Sequence, residues 1–201
     1  MKIVRQTQKV VRLEQHRWFG YHPKWLAKST CEQLINELAD AVQWPESHIH
    51  MFGRRIAEPR RSAWFGDPHC SYTYSGQLRQ PQAWRTELFQ LKILLESELN
   101  HNFNSVLVNC YRDGQDYMGW HRDNEKELGQ NPLIASISLG ASRRFLLRER
   151  RGEQQFEFLL GSGDLLVMRA ESQEICEHSL PKMRALQQAR INLTFRQIKQ
   201  S

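Results

Sequence analysis

Three side chains able to hold one cation stand in the C-terminal half of the chain: His121 and Asp123, one residue apart, and a lone His178. Side chains alternate between faces along a strand, so an extended His121-Arg122-Asp123 puts an imidazole and a carboxylate on one side, within reach of a single ion. His178 is the candidate third ligand. Two imidazoles and one carboxylate leave positions open on iron(II), which activation of dioxygen requires. Zinc accepts the same donors with an open site, so the donor types alone leave the metal undecided. A His-x-Asp triplet also arises by chance in roughly one chain in four of this composition. Each histidine taken singly is equally a solvated or hydrogen-bonded residue.

The segment Arg190-Ile191-Asn192-Leu193-Thr194-Phe195-Arg196 weights the metal reading. As a strand it carries Arg190, Asn192, Thr194 and Arg196 on one face and Ile191, Leu193 and Phe195 on the other. Guanidinium groups pair bidentately with carboxylates, so two arginines on one face suit a small dicarboxylate whose other end remains free to reach a metal. Asn109 and Tyr111 alternate onto one face of an upstream strand and add an amide and a hydroxyl to such a pocket. As isolated residues they are equally two groups meeting water at a sheet edge.

The elements that must position these groups are mainly strands. Short runs rich in branched and aromatic residues cover 106–111, 134–139, 144–147, 156–160, 165–168, 174–178 and 190–195, and with the His121 segment make about eight strands punctuated by glycines. Two helices precede them. Ser29-Thr30-Cys31-Glu32 reads as a capping box ahead of Leu34, Ile35, Leu38 and Ala41. The second helix is expected to start near Pro81, with Leu88, Leu91, Leu95 and Leu99 forming a stripe against a sheet. The pattern is α+β, mainly β: a double-sheet jelly roll with N-terminal supporting helices.

The chain of 201 residues is long enough for one substantial core, and no linker or repeat divides it. Its hydrophobic content and negative mean hydropathy argue against membrane spans. The N-terminal Met1-Lys2-Ile3-Val4-Arg5 lacks the apolar stretch of a secretory signal and reads as an edge strand, with an organelle transit peptide as the alternative because the segment is poor in acidic residues. Cys31, Cys70, Cys110 and Cys176 show no CxxC spacing, which points to a reducing cytoplasm. A formal charge of +6 suits a polyanionic partner without proving one. The cluster Arg143, Arg144, Arg148, Arg150 and Arg151 is a candidate phosphate-contacting face.

Taken together, Pro59-Arg60, Tyr72-Thr73-Tyr74-Ser75-Gly76, Asn109-Cys110-Tyr111, His121-Arg122-Asp123-Asn124-Glu125, His178-Ser179-Leu180-Pro181 and the Arg190 to Arg196 run resemble the AlkB-like 2-oxoglutarate and Fe(II)-dependent dioxygenases, nearest to the duplex-acting DNA-repair members. The resemblance spans about 51–196. It implies Fe(II) on His121, Asp123 and His178, and 2-oxoglutarate and O2 as co-reactants. It implies Arg190 with Tyr111 at the distal carboxylate of 2-oxoglutarate, Arg196 with Asn109 at the carboxylate beside the keto group, and Asn192 and Thr194 lining the pocket. The implied reaction hydroxylates an N-methyl group, with succinate, carbon dioxide and formaldehyde as products. The implied organisation is a single domain over 1–201: N-terminal support to about 48, a nucleotide-recognition region over 49–104 and a catalytic core over 105–201.

A base presented to a buried metal must leave its stack and rest on aromatic surfaces. The resemblance places Tyr72 and Tyr74 at that pocket, with Arg60 and Glu125 as further substrate contacts. Met51, Phe52 and Gly53, followed by Arg54-Arg55, match a wedge-bearing hairpin that fills the gap left by an extruded base. The expected partner is therefore alkylated DNA carrying lesions such as 1-methyladenine and 3-methylcytosine, duplex included, acted on by a monomer. The same chemistry on RNA, protein or a small molecule, and a non-catalytic basic nucleic-acid-binding module, are the alternatives. Residues before Ile49 match no motif.

Overall fold

The computed structural model describes residues 13–42, 44, 48–51, 54–70, 72–74, 77–169 and 171–199; the side chains of 13–15, 40–41, 48–51, 54–57, 72–74 and 77–79 lie outside the description. The chain runs β1 (Leu13–His16), β2 (Phe19–His22), α1 (Lys28–Ala41), β3 (His48–Met51), β4 (Arg54–Ala57), β5 (Arg61–Gly66), β6 (Tyr72–Tyr74), β7 (Gln77–Arg79) and α2 (Thr86–Leu99). The C-terminal half continues β8 (Ser105–Tyr111), β9 (Met118–His121), β10 (Ile134–Gly140), β11 (Arg143–Glu149), β12 (Gln155–Leu160), β13 (Leu165–Met168), α3 (Ser172–Ile175), β14 (Cys176–Leu180) and β15 (Arg190–Arg196). The protein is mostly β, with few helices. A seven-stranded sheet in the order β1-β2-β13-β10-β15-β8-β5 and a four-stranded sheet in the order β12-β11-β14-β9 are both antiparallel; β3–β4 and β6–β7 form two separate ribbons.

Period-two alternation sorts the large sheet into two faces. On β10, Ala135, Ile137 and Leu139 join Ile191, Leu193 and Phe195 of β15, Val106 and Val108 of β8, and the buried leucines of α1 and α2 in one core. Each fully buried aliphatic side chain there contributes roughly 1.5–3 kcal/mol. The opposite face of β13 and the first residue of β10 meet Phe145 and Leu147 of β11, Leu160 of β12 and Leu180 of β14 in a second core shared by the two sheets. Helices therefore back the large sheet on one side, and the small sheet covers the other.

The leucine stripe of α2 packs as expected: Leu88, Leu91 and Leu95 are fully buried and Leu99 packs at the margin. The helix begins at Thr86 instead of near Pro81, because Gln82 is held extended beside β5 by backbone bonds with Trp64 and Gly66. It ends on Asn100 in the left-handed region (φ 48°), which Asn tolerates at a C-terminus. The expected capping box is also displaced. Leu26 is tied to the carbonyl of Gly163, Ala27 occupies the cap position, and α1 starts at Lys28 with no side-chain cap.

The strands expected at 106–111, 134–139, 144–147, 156–160, 165–168 and 190–195 are present, each within two residues at its ends. The run at 174–178 is corrected: residues 174–175 close the one-turn α3, and the strand occupies Cys176–Leu180. Strands β1, β2 and β5, which extend the large sheet at both edges, had no expectation attached.

Candidate active site

His121 is the last residue of β9, and Asp123 lies in the irregular stretch that follows, so the two do not share a strand face as the triplet suggested. The convergence arises across the sheet. Among the described residues β9 pairs with β14 alone, in a register that sets His178 directly opposite His121, and directly opposed antiparallel residues are neighbours. The two imidazole centroids lie 4.2 Å apart. The turn after β9 then carries Asp123 back, with Oδ1 3.9 Å from His121 Nε2. One ligand atom from each of the three residues falls within 4.8 Å of the others.

The protonation states suit a cation. Burial pushes His178 down to about 3, the charge of His121 adding to the effect, so its imidazole is neutral with a lone pair available. Burial opposes charge on Asp123, yet the Arg196 guanidinium, 2.8 Å from Oδ2, and the two imidazoles hold its carboxyl well below the usual range. His121 Nδ1 lies 2.9 Å from the Gly119 carbonyl; a proton on Nδ1 leaves the Nε2 lone pair for a metal. Phe145 stacks on His178 at 5.4 Å. The Asp123 backbone N–H donates to Gln173 Oε1 at 2.9 Å. Two imidazoles and an anchored carboxylate fit a divalent transition metal with open positions.

The polar face of β15 adjoins this cluster. Arg190, Asn192, Thr194 and Arg196 are all buried, with exposures of 2–8%. Arg190 donates from one terminal nitrogen to Ser138 Oγ (2.8 Å) and Asn192 Oδ1 (2.6 Å), and Asn192 Nδ2 donates to Thr194 Oγ1 (2.7 Å). The Arg190 Nε is buried without a hydrogen-bond partner, and burial lowers the group to about 10. A buried guanidinium with an unused N–H, lining a cavity, suits an anion. Tyr111 places its ring 5.5 Å from that guanidinium. Asn109 accepts from Ser62 Oγ (2.8 Å) and Arg60 Nε (3.2 Å). Both sit on β8, an interior strand between β15 and β5, which removes the sheet-edge reading.

A cavity of about 370 Å³ unites the three candidate ligands with Asn109, Tyr111, Arg190, Asn192, Thr194, Arg196, Arg60 and Glu125. Glu125 has one carboxylate oxygen buried without a partner; burial, then the Asp123 charge, raises its pKa. The structure brings Glu58 to the same wall, buried and 3.7 Å from Arg60, a residue nothing in the sequence singled out. Tyr72 and Tyr74 lie at the ends of β6, and Met51 at the end of β3, but their side chains are outside the described residues, as are Phe52 and Gly53 altogether. Gln173 and Phe145 were also missed. Gln173 precedes His178 by a tight turn and has no motif, while Phe145 reads as any core aromatic.

The arginine cluster is not a uniform phosphate-contacting face. Alternation along β11 turns Arg143 inward, where it is fully buried, while Arg144 pairs with Glu157 (2.6 Å) and Arg148 with Glu177 (2.6 Å) over the Trp120 ring. Arg150 donates to the Glu174 carbonyl.

Comparison with known proteins agrees with this geometry. The family model for the 2OG-Fe(II) oxygenase superfamily matches residues 19–196. The chain is 35% identical over 182 residues to the DNA oxidative demethylase ALKBH2 of Bos taurus, covering 85% of this chain and 66% of that protein; the Mus musculus ALKBH2 is 34% identical and covered to 76%. The alpha-ketoglutarate-dependent dioxygenase alkB homolog 3 of Mus musculus is 34% identical over 187 residues, covering 88% of this chain and 65% of that protein. The chain thus spans about two thirds of the length of these relatives. The solved structure of OsALKBH1 superposes with a TM-score of 0.67 over 92% of this chain and 99% of that one, at 16% identity, which speaks to the fold. The chain belongs to the AlkB-like 2OG-Fe(II) oxygenases, whose cofactor set is Fe(II), 2-oxoglutarate and O2.

Proposed function

We propose that this chain is an oxidative demethylase of N-alkylated bases in DNA, such as 1-methyladenine and 3-methylcytosine. The observation that carries the reading is the meeting, in one cavity, of a His-Asp-His cluster and a buried guanidinium whose Nε has no hydrogen-bond partner among the described residues. The names of the ALKBH2 relatives supply the substrate class. The reading includes a jelly-roll fold: from β8 to β15 the chain passes between the two sheets at every step except the β11–β12 hairpin, with β13-β10-β15-β8 in one and β12-β11-β14-β9 in the other. It also treats 1–201 as one catalytic domain acting as a cytoplasmic monomer; among the described residues no helix is long and apolar enough to cross a membrane.

In this reading His121, Asp123 and His178 hold Fe(II). Arg190 and Tyr111 take the distal carboxylate of 2-oxoglutarate, and Asn109 and Arg196 lie toward its keto-acid end, with Asn192 and Thr194 lining the pocket and Asn192 accepting from Arg190. Bound Fe(II), with 2-oxoglutarate and O2, supplies insertion of one oxygen atom into an N-methyl C–H bond while the co-reactant becomes succinate and carbon dioxide. The hydroxymethyl product loses formaldehyde and returns the base. The protein's share is ligation, orientation and exclusion of water from the cavity. Arg196 keeps Asp123 ionised, while the bond of the Asp123 N–H to Gln173 Oε1 and that of His121 Nδ1 to the Gly119 carbonyl set ligand orientation. Glu125, Arg60, Tyr72 and Tyr74 receive the extruded base, while Met51, Phe52 and Gly53 occupy the gap it leaves.

The test is incubation of purified protein with Fe(II), 2-oxoglutarate, ascorbate and a methylated oligonucleotide, offered as single-stranded DNA, duplex DNA and RNA. Formaldehyde release with matched succinate is expected on DNA, duplex included. Release on RNA alone would move the substrate, and no release on any arm would overturn the reading.

A further inference from the structure

Arg143 is fully buried, and among the described residues its hydrogen-bond acceptors are main-chain carbonyls, with no carboxylate. It is the first residue of β11, on the inward face that also carries Phe145, so one strand reaches both ends of the site: Phe145 stacks on His178, and Arg143 lies over the Tyr111 ring at 5.7 Å. Its guanidinium donates to three main-chain carbonyls, those of Asp113 (2.9 Å), Asp116 (2.7 Å) and Pro181 (2.9 Å). Asp113 and Asp116 belong to the turn that follows β8 directly after Tyr111; Pro181 opens the loop after β14. The two loops are also zipped together by backbone bonds from Gly114 N to Leu186 O (2.8 Å) and Met183 N to Gly114 O (2.9 Å). A Cβ on Gly114 would fall 1.8 Å from the Met183 carbonyl oxygen, so the approach depends on glycine. Arg112, half exposed, clamps Asp116 from outside with two guanidinium bonds of 2.7–2.8 Å.

A buried guanidinium loses hydration that three neutral carbonyls only partly return. That cost falls where the loops after β8 and β14 are bonded together, beside the Tyr111 ring that the Arg190 guanidinium also approaches, at 5.5 Å. We propose that Arg143 is a positioning residue for the distal carboxylate of 2-oxoglutarate: it fixes the Tyr111 ring and closes the loop pair behind it, and adds a second positive charge to that end of the pocket without touching the co-reactant. The inference rests on the proposed roles of Arg190 and Tyr111 and assigns the structure that holds them.

The experiment compares wild type, Arg143→Lys and Arg190→Ala, each loaded with Mn(II), by titration with 2-oxoglutarate and with pyruvate, which lacks the distal carboxylate. Lysine keeps the charge but cannot span three carbonyls. For Arg143→Lys the Kd for 2-oxoglutarate should rise about tenfold, while Mn(II) affinity and the weak binding of pyruvate stay within about twofold; in turnover, KM for 2-oxoglutarate should rise by the same factor with kcat little changed. A purely structural role would weaken both acids and the metal together. Unchanged 2-oxoglutarate affinity, or equal loss for both acids, overturns the inference. If Arg190→Ala also leaves 2-oxoglutarate binding intact, the underlying pocket assignment fails instead. Should Arg143→Lys not fold, Arg112→Ala carries the test from the exposed side of the same turn, with a two- to threefold rise in Kd expected, on the order of second-sphere effects, and no change overturning the proposal.

Discussion

The large and small sheets meet at the cavity but bring different kinds of residue to it. β15 and its neighbours β8 and β10 are buried on both faces, one against helices and one toward the cavity, and their polar groups are hydrogen-bonded to one another before any ligand arrives. β9, on the small sheet, is an edge strand with exposed Gly119-Trp120, and the His121 side chain remains 29% exposed. A pre-bonded, enclosed grip suits a small co-reactant of fixed shape. An edge that opens to solvent suits a metal that must admit a large substrate. One site is thus assembled from an enclosed half and an accessible half, and the difference follows from where each strand sits in its sheet.

The comparison breaks most readily at the exposed half. His121→Ala should reduce formaldehyde release to the buffer background while the urea midpoint stays nearly constant, since a partly exposed edge side chain carries little packing; retained turnover would remove His121 from the site. On the enclosed half the two faces of β15 can be separated. Leu193→Ala, on the helix side, should cost about 2–5 kcal/mol of stability in urea titration and leave KM for 2-oxoglutarate near wild type when assayed well below its Tm. Asn192→Ala, one residue away on the cavity side, should cost a smaller amount of about 1–3 kcal/mol, because Ser136, Thr194 and Arg190 each lose a buried partner, and should also raise that KM. Equal kinetic effects from both would show that the faces are not independent.

The smallest effect is that of acid. Burial opposes ionisation of Asp116, but its hydrogen bonds from Arg112 and the charges of Arg112 and Arg143 outweigh this and place its pKa below the usual value. A carboxyl depressed in the folded state adds stability that is present above its unfolded pKa of about 3.9 and disappears as pH falls through the folded value. Wild type should therefore lose more stability than Asp116→Asn as pH drops from about 4.5 toward 3, read as the shift in Tm; parallel curves would show that the clamp does not titrate there.

Much of the catalytic half was legible because its signals are local. The alternation in 190–196 predicted both faces of β15, and the apolar runs located most of the C-terminal strands. Where the reading missed, a contact distant in sequence decided the matter. The Ser29 cap gave way to the bond between Leu26 and Gly163, the start near Pro81 to the pairing of Gln82 with β5, and the arginine cluster split because Arg143 faces the Tyr111 ring while its neighbour faces Glu157. Gln173, Glu58 and Phe145 carried no signal, since an amide, a carboxylate or an aromatic acquires a role only from what the fold sets beside it.

The sequence by itself determined which residues can share a face, because the period of a strand is a property of the backbone within a few residues. It also determined the chemical types on offer: imidazole, carboxylate and paired guanidinium. Only the tertiary structure decided that His178 lies opposite His121, that Asp123 returns by a turn instead of along the strand, and that Arg196 reaches Asp123 across 73 positions. Those outcomes depend on which strands pair and in what register, and the free energy that fixes register is spread over the whole buried interface of two sheets, beyond the reach of any local pattern.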